Sequence, residues 1–413
     1  MYENLAILGT FVFLYSITSG GLEKTPINGA LVFTAFGLAV GPLGLDLLTG
    51  EVDSEGLRTL AELTLALLLF ADAANANLDE LKQFSRIPLR LLLIGLPLTI
   101  LLGFGTGVIL FSGLTLLEIA VLATILSPTD AALGKAVVTN KTVPSNIRES
   151  LNVESGLNDG ICVPILFLFL ALVTKTGVEE GTSILAIKLL AEEIGIGGGV
   201  GVGLTLLGWL LLKRFGDRGW VTETWLQLPV PALSVACFAV AQWIGGSGFI
   251  ACFVGGLLFG RIVSNQHKHK LLLSAEGTAD TLALITWVAF GAAVVGRSIG
   301  ALSWQVLLYA VLSLTLIRMV PVFLALSGLK MRTDEKLFIG WFGPRGLASI
   351  VFAVIVLNAY LPGGDIISMT ATCTIILSVV AHGISATPLV ASLGARLQRA
   401  AGEKEAGGLR LEE

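Results

Sequence analysis

The sequence predicts an all-α integral membrane protein of thirteen transmembrane helices, two of them discontinuous. Three observations carry this expectation. Of 413 residues, 54% are hydrophobic and only 14% charged, with a mean hydropathy of +0.86, which excludes an ordinary soluble domain. Apolar stretches of ~20 residues, the length that crosses a ~30 Å hydrocarbon core, recur along the chain. The basic residues between those stretches gather on alternate sides.

Taken in order, the first span covers residues 5–22. It follows Met-Tyr-Glu-Asn with no basic n-region, so it reads as a retained span rather than a cleaved signal peptide. The second, 26–45, is weakened by glycines and prolines. The third, 56–74, ends near Asp72, and the fourth covers 88–112. The fifth, 115–139, is interrupted by Ser127-Pro128-Thr129-Asp130, where the proline breaks the helix. The sixth, 147–174, carries the polar run Asn152-Val-Glu-Ser-Gly-Leu-Asn-Asp159. The seventh, 183–212, holds Lys188, Glu192, Glu193 and a glycine run at 195–203, which suits either close packing or a compliant link between two halves. Spans at 224–244, 247–264 and 277–297 follow. The eleventh, 301–327, contains Arg318; the twelfth, 335–360, contains Gly343-Pro344-Arg345-Gly346; the last covers 366–393. A short charged tail after Arg396 is expected to be disordered.

The basic residues test this count. With the N-terminus outside and the C-terminus cytoplasmic, only Arg58, Lys175 and Arg297 fall outside, and Lys188, Arg318 and Arg345 fall within spans. The remaining 20 of the 26 Lys and Arg are cytoplasmic, as the positive-inside rule requires. A missed span would scramble the loops after it.

A charged side chain at mid-bilayer costs at least ~2.5–3.5 kcal/mol on insertion scales, so it is seldom kept without a use. At ~1.5 Å per residue, Asp159 lies roughly 16 Å from Arg148, and Asp130 and Arg345 lie roughly 14 Å from the same face. All three reach one layer. Breaks in corresponding spans of two halves point to a transporter site built on inverted repeats. On the sixth helix, Ser155 and Asp159 are four apart and share a face, an oxygen pair suited to a monovalent cation; Glu154 and Asn158 share the adjacent face. Glu154 needs a buried partner, and Arg318 is the candidate. Thr129 reads as a ligand. Asp130 reads as part ligand and part counter-charge to a helix N-terminus. Arg345 balances the opposite broken helix, and Asp72 is either a further ligand or interfacial.

These residues resemble the NhaP-type sodium/proton antiporters, kin of the eukaryotic sodium–hydrogen exchangers. The resemblance rests on Ser127-Pro-Thr-Asp130, Glu154-Ser-Gly-Leu-Asn-Asp159, Gly246-Ser-Gly-Phe249, Arg318 with Pro321, and Gly343-Pro-Arg-Gly346. It implies a homodimer in the cell membrane that exchanges Na+, with Li+ or K+ as alternatives, for H+ at a ratio of 1:1. It implies Asp159 as the cation and proton carboxylate, Asn158 as its neighbour in the electroneutral branch, Thr129 and Ser155 as ligands, and a Glu154–Arg318 pair. It also implies an interface domain (1–84 and 219–298), a core domain (85–178 and 299–395), a linker helix (179–218) and a cytoplasmic tail (396–413). No cofactor beyond the transported ions and no nucleic-acid partner are expected.

Two rivals belong to other classes. Gly245-Gly-Ser-Gly248 fits a short serine-hydrolase motif, with His382 in a late span, but nothing in the sequence brings the two together. A cation channel would call for filter carbonyls or a ring of charges, and a single asymmetric carboxylate argues against it. Cys162, Cys237, Cys252 and Cys373 have neither disulfide nor metal spacing and read as small buried apolar residues.

Overall fold

The computed structural model describes residues 2–22, 25, 29–47, 54–76, 86–130, 133, 135–138, 140–175, 182–263, 265–295 and 302–409, and all regular structure among them is helical. Lys24, Lys82, Arg297 and Arg410 of the charge count lie outside the described residues, as do the expected boundaries at 84–85, 178–179 and 298–299. A helix lies within every expected span. In chain order these are α1 (Tyr2–Leu22), α2 (Gly29–Val40), α3 (Ser54–Asn75), α4 (Arg86–Leu110, with a π turn at Leu91–Gly95), α5 (Leu116–Ile125) and α6 (Lys135–Val138). There follow α7 (Ser145–Lys175), α8 (Thr182–Gly216), α9 (Pro229–Trp243), α10 (Gly248–Ile262) and α11 (Asn265–Ala289, continued by a π turn to Val295). The last are α12 (Trp304–Leu314), α13 (Leu316–Ala325), α14 (Thr333–Trp341), α15 (Leu347–Leu357) and α16 (Gly364–Leu409). Among the described residues, 8 helical stretches are long and apolar enough to cross a membrane, and α2, α5, α10 and α15 are shorter apolar helices. Ile109, Leu93, Leu101 and Trp304 are exposed on the outer surface. Hydrocarbon accepts such a surface only because helices satisfy their own backbone.

Three details depart from expectation. The eleventh span is two helices, α12 and α13, bent at Thr315 (φ −113°, ψ −96°), and the bend interrupts the backbone ladder just before Arg318. Helix α8 runs for 35 residues, or ~52 Å, well beyond a ~30 Å core. Lys188, Glu192 and Glu193 therefore stand toward its first end instead of mid-span. Finally, α16 continues to Leu409 through the charged stretch expected to be disordered. Its Ala, Arg, Gln, Glu and Lys residues are good helix formers.

Close approach between helices rests on small residues, as lipid-embedded packing favours. A Cβ on Gly256 or Gly260 of α10 would strike the carbonyls of Phe70 and Ala74 on α3, and one on Gly37 of α2 would strike Val288 on α11. Within the 195–203 run, Gly197 and Gly201 abut Ser247 and Ala251, whereas Gly195, Gly198, Gly199 and Gly203 face open space. The helix passes unbroken through the run. Helices α2, α3 and α8–α11 pack on one another; α4–α7 and α12–α16 do likewise. The two sets meet where α3 touches α7 and α15, where α8 and α10 touch α7, and where α2 touches α16.

Candidate functional site

The site begins with two chain breaks that meet. Pro128 has no N–H to continue α5, and Gly343, Pro344 and Gly346 separate α14 from α15. Each broken helix leaves orphan backbone groups, donors at a new N-terminus and carbonyls at a C-terminus. Each break supplies what the other lacks. The Asp130 amide donates to the Pro344 carbonyl at 2.8 Å, and the Asp130 carboxylate accepts from the Leu347 amide at 3.1 Å, at the start of α15. Conversely, Arg345 Nη1 donates to the carbonyls of Ser127 (2.9 Å) and Pro128 (3.0 Å), just past the end of α5. An acid thus sits on a positive helix end and a base on a negative one. Arg345 Nη2 also reaches the Ser313 carbonyl at 3.5 Å, which the bend at Thr315 releases. Glycine is required here: a Cβ on Gly346 would collide with the Asp130 carboxylate, and one on Gly343 would meet Arg318 and Thr129.

Helix α7 lies against this crossing. Ser155 Oγ donates to the Thr129 carbonyl at 2.8 Å, and Asn158 Nδ2 donates to Thr129 Oγ1 at 2.7 Å. The helical-face division expected Asn158 beside Glu154 and apart from Ser155. Instead Ser155 and Asn158, three residues apart, grip the same threonine. Glu154 does meet Arg318, in a two-pronged pair at 2.6 and 2.8 Å with both side chains 2% exposed. Arg318 on α13 faces inward because the bend at Thr315 re-aims that helix.

Asp159 is only half-buried, yet its Oδ1 is buried and accepts no hydrogen bond; the Asn158 Oδ1 is in the same condition. Asp130 and Asp72 are the charged groups that act most strongly on Asp159. Asp72, near the end of α3, packs its Cβ against Gly156, one turn before Asp159. The Glu154–Arg318 pair neutralises itself, and the Arg345 guanidinium is spent on the backbone carbonyls of Ser127, Pro128 and Ser313. A small pocket of about 10 Å³, room for one water-sized sphere, lies between Thr129, Asp130, Ser155 and Pro344, with Val137, Val138, Leu151 and Phe342 as its apolar lining. The arrangement is an oxygen-rich, net-negative point deep among apolar helices, suited to a cation or a proton.

Sequence reasoning missed two parts of this site. The Ser313 carbonyl became available through a bend that no proline announces. Ser378 and His382 on α16 hold the α14–α15 break, as the Arg345 amide donates to Ser378 Oγ at 2.7 Å and His382 Nε2 lies 2.8 Å from the Trp341 carbonyl. Only their spacing of four hinted at a shared face. The hydrolase motif dissolves, because Ser247 caps α10 by accepting from the Ile250 amide and both His382 nitrogens are engaged elsewhere.

Residues 9–392 match the family model described as "Sodium/hydrogen exchanger, transmembrane". The chain is 25% identical over 271 residues to the K(+)/H(+) antiporter NhaP2 of Shewanella oneidensis, covering 64% of this chain and 45% of that one. It is 25% identical over 394 residues to the K(+)/H(+) antiporter NhaP of Alkalimonas amylolytica (94% and 66%). With a Na(+)/H(+) antiporter of Saccharomyces cerevisiae it shares 26% over 379 residues (85% and 37%). The chain therefore spans about half the length of the Shewanella relative. Its fold matches the structure of the sodium proton antiporter MjNhaP1 from Methanocaldococcus jannaschii, with a TM-score of 0.76 at 21% identity, covering 94% of this chain and 98% of that one.

Proposed function

The chain belongs to the sodium/hydrogen exchanger family, and from that premise we propose that it exchanges one monovalent cation for one proton across the membrane, with Asp159 carrying each in turn. The carrying observation is the Asp159 oxygen that is buried without a partner, beside the meeting point of two broken helices. Out of water, an ionised carboxylate is stable only against a counter-charge. It holds a cation or a proton, and each excludes the other. One carboxylate alternating between two monovalent loads gives electroneutral 1:1 exchange.

Thr129, Ser155 and Asp130 supply further oxygens, and Asp72 completes the negative surround. Pro164, inside α7, has no N–H for the Gly160 carbonyl, which adds a backbone oxygen next to Asp159. Asn158, Glu154, Arg318 and Arg345 keep the site in shape. The cation is Na+ in this reading, with Li+ able to replace it. K+ is the second reading, favoured by the names of the Shewanella and Alkalimonas relatives.

The protein is a multi-pass membrane protein. We read thirteen spans in the plasma membrane, N-terminus outside and C-terminus cytoplasmic. Several contacts join ends that this alternation puts on one side: Gly363 to Glu118 at 2.7 Å and Ser247 to Glu193 at 3.1 Å outside, and Arg90 to Ser327 at 2.5 Å inside. Exposed Trp243, Trp304 and Tyr360 form the outer aromatic rim, with Trp220 and Trp225 on the inner one. The set containing α2, α3 and α9–α11 serves as the interface domain, against which the other set moves to expose Asp159 to each side in turn. Helix α1 packs Leu8, Phe11, Val12 and Tyr15 against the core but fully buries no side chain, which leaves an apolar face for lipid and for a second copy in a homodimer.

The test is proton flux in proteoliposomes against Na+, Li+ and K+, with and without a membrane potential. Flux driven by at least one cation and insensitive to potential is expected. Asp159→Asn should abolish it while the protein still purifies folded, and retained flux in that variant would falsify the assignment.

A further inference from the structure

His382 is buried in the helical core, at 1% exposed, and the exchange chemistry does not use it. Both its nitrogens lie within hydrogen-bond distance of protein oxygens. Nε2 lies 2.8 Å from the Trp341 carbonyl, and Nδ1 lies 2.8 Å from the Ser378 carbonyl and 3.2 Å from Ser378 Oγ. A backbone carbonyl can only accept, so Nε2 carries a hydrogen. The ring also stacks on Trp341, with centroids 5.1 Å apart, and the Trp341 indole donates to Ser385 Oγ at 2.9 Å. Ser378 Oγ meanwhile accepts from the Arg345 amide at 2.7 Å.

These two residues, one turn apart on α16, therefore hold opposite sides of the same break. His382 takes the last carbonyl of α14, and Ser378 takes an amide just before α15. The Arg345 amide would otherwise be an orphan that a lipid-embedded helix cannot leave unpaired, and the Trp341 carbonyl, which also accepts from the Gly343 amide at 2.8 Å, gains a second, side-chain partner in His382. Arg345, held by its amide, extends to the carbonyls of Ser127 and Pro128, and the next residue is Thr129, gripped by Ser155 and Asn158. The line from His382 through Ser378 and Arg345 to Thr129 is continuous and buried.

We propose that Ser378 and His382 are positioning residues for the exchange site, acting through the α14–α15 break and the Arg345 side chain to set where the Thr129 oxygens stand. The proposal rests on the exchange reading above. It separates positioning from the transport step: losing the contacts misplaces cation ligands and leaves Asp159, which carries the load, in place. Apparent affinity should suffer and maximal rate should not.

The experiment measures cation-dependent proton flux in proteoliposomes for the full chain and for His382→Ala, His382→Asn, His382→Gln and Ser378→Ala. The Gln amide can still reach the Trp341 carbonyl, whereas the shorter Asn amide can serve only Ser378. Losing one buried hydrogen bond predicts a rise in cation KM of about tenfold for Ala and Asn, and of no more than about threefold for Gln, with Vmax within about twofold throughout. Should the Ala variants fail to fold, the Asn-to-Gln contrast alone decides. A KM within about twofold of wild type in Asn, or a loss in Vmax that tracks thermal stability in every variant, overturns the proposal. Wild-type liposomes with no cation-driven flux overturn instead the exchange reading on which it stands.

Discussion

Asp130 and Arg345 each serve the end of a helix to which they do not belong. That exchange explains why charged residues survive at a depth where charge is costly: each is matched to an oppositely polarised helix end. Glu154 and Arg318 are kept for a different reason, their mutual pairing at 2.6 Å. Removing one partner leaves the other buried and uncompensated, a loss of about 3–5 kcal/mol. Glu154→Gln should therefore lower the thermal unfolding temperature of the purified protein sharply. Replacing both residues with apolar ones of similar size should cost less than the sum of the single changes, as a double-mutant cycle in unfolding would read. Competition at one carboxylate adds a kinetic signature. Acidifying the cation side should raise the cation KM and leave Vmax unchanged when flux is measured at saturating cation. The depth of these charges was legible from spacing alone, but the helix end each one serves was not, because α5 and α15 are separated by more than 200 residues of chain.

At the scale of elements, the breaks decide the site and glycine makes them possible. Gly346 leaves room for the Asp130 carboxylate to cap α15. A Gly346→Val variant should fold with α15 uncapped and show a cation KM raised by about tenfold, the worth of one charge-assisted hydrogen bond. Flux measurements beside a circular-dichroism check of helicity would decide it; unchanged KM would place Asp130 outside the site's support. The two interrupted spans could be read from Pro128 and Pro344. The bend at Thr315 could not, since neither glycine nor proline stands at that position. The glycine run in α8 turns out to be close packing at Gly197 and Gly201 along an unbroken helix.

For the whole molecule, the orientation of the spans is the claim most open to direct test. A membrane-impermeant thiol reagent applied to sealed cells should label Ser303→Cys from outside and should reach Thr222→Cys only after the membrane is opened. Cys162, Cys237 and Cys252 are buried, whereas Cys373 is half-buried and not the fully buried residue expected, so the labelling uses a Cys373→Ala background. The reverse pattern would invert the topology. Such labelling is independent of transport and so tests the frame separately from the site.

By itself the sequence determined the helical class, the apolar stretches that fold as helices and the two breaks. Hydropathy, proline chemistry and the distribution of Lys and Arg are local properties, and a bilayer forces them to register. The tertiary structure alone decided which broken end meets which charge, that Asn158 and Ser155 share Thr129, and that His382 reaches the α14–α15 break. Those pairings depend on how helices far apart in the chain cross, and a bend or a glycine contact shifts such a crossing without leaving a periodic trace in the sequence.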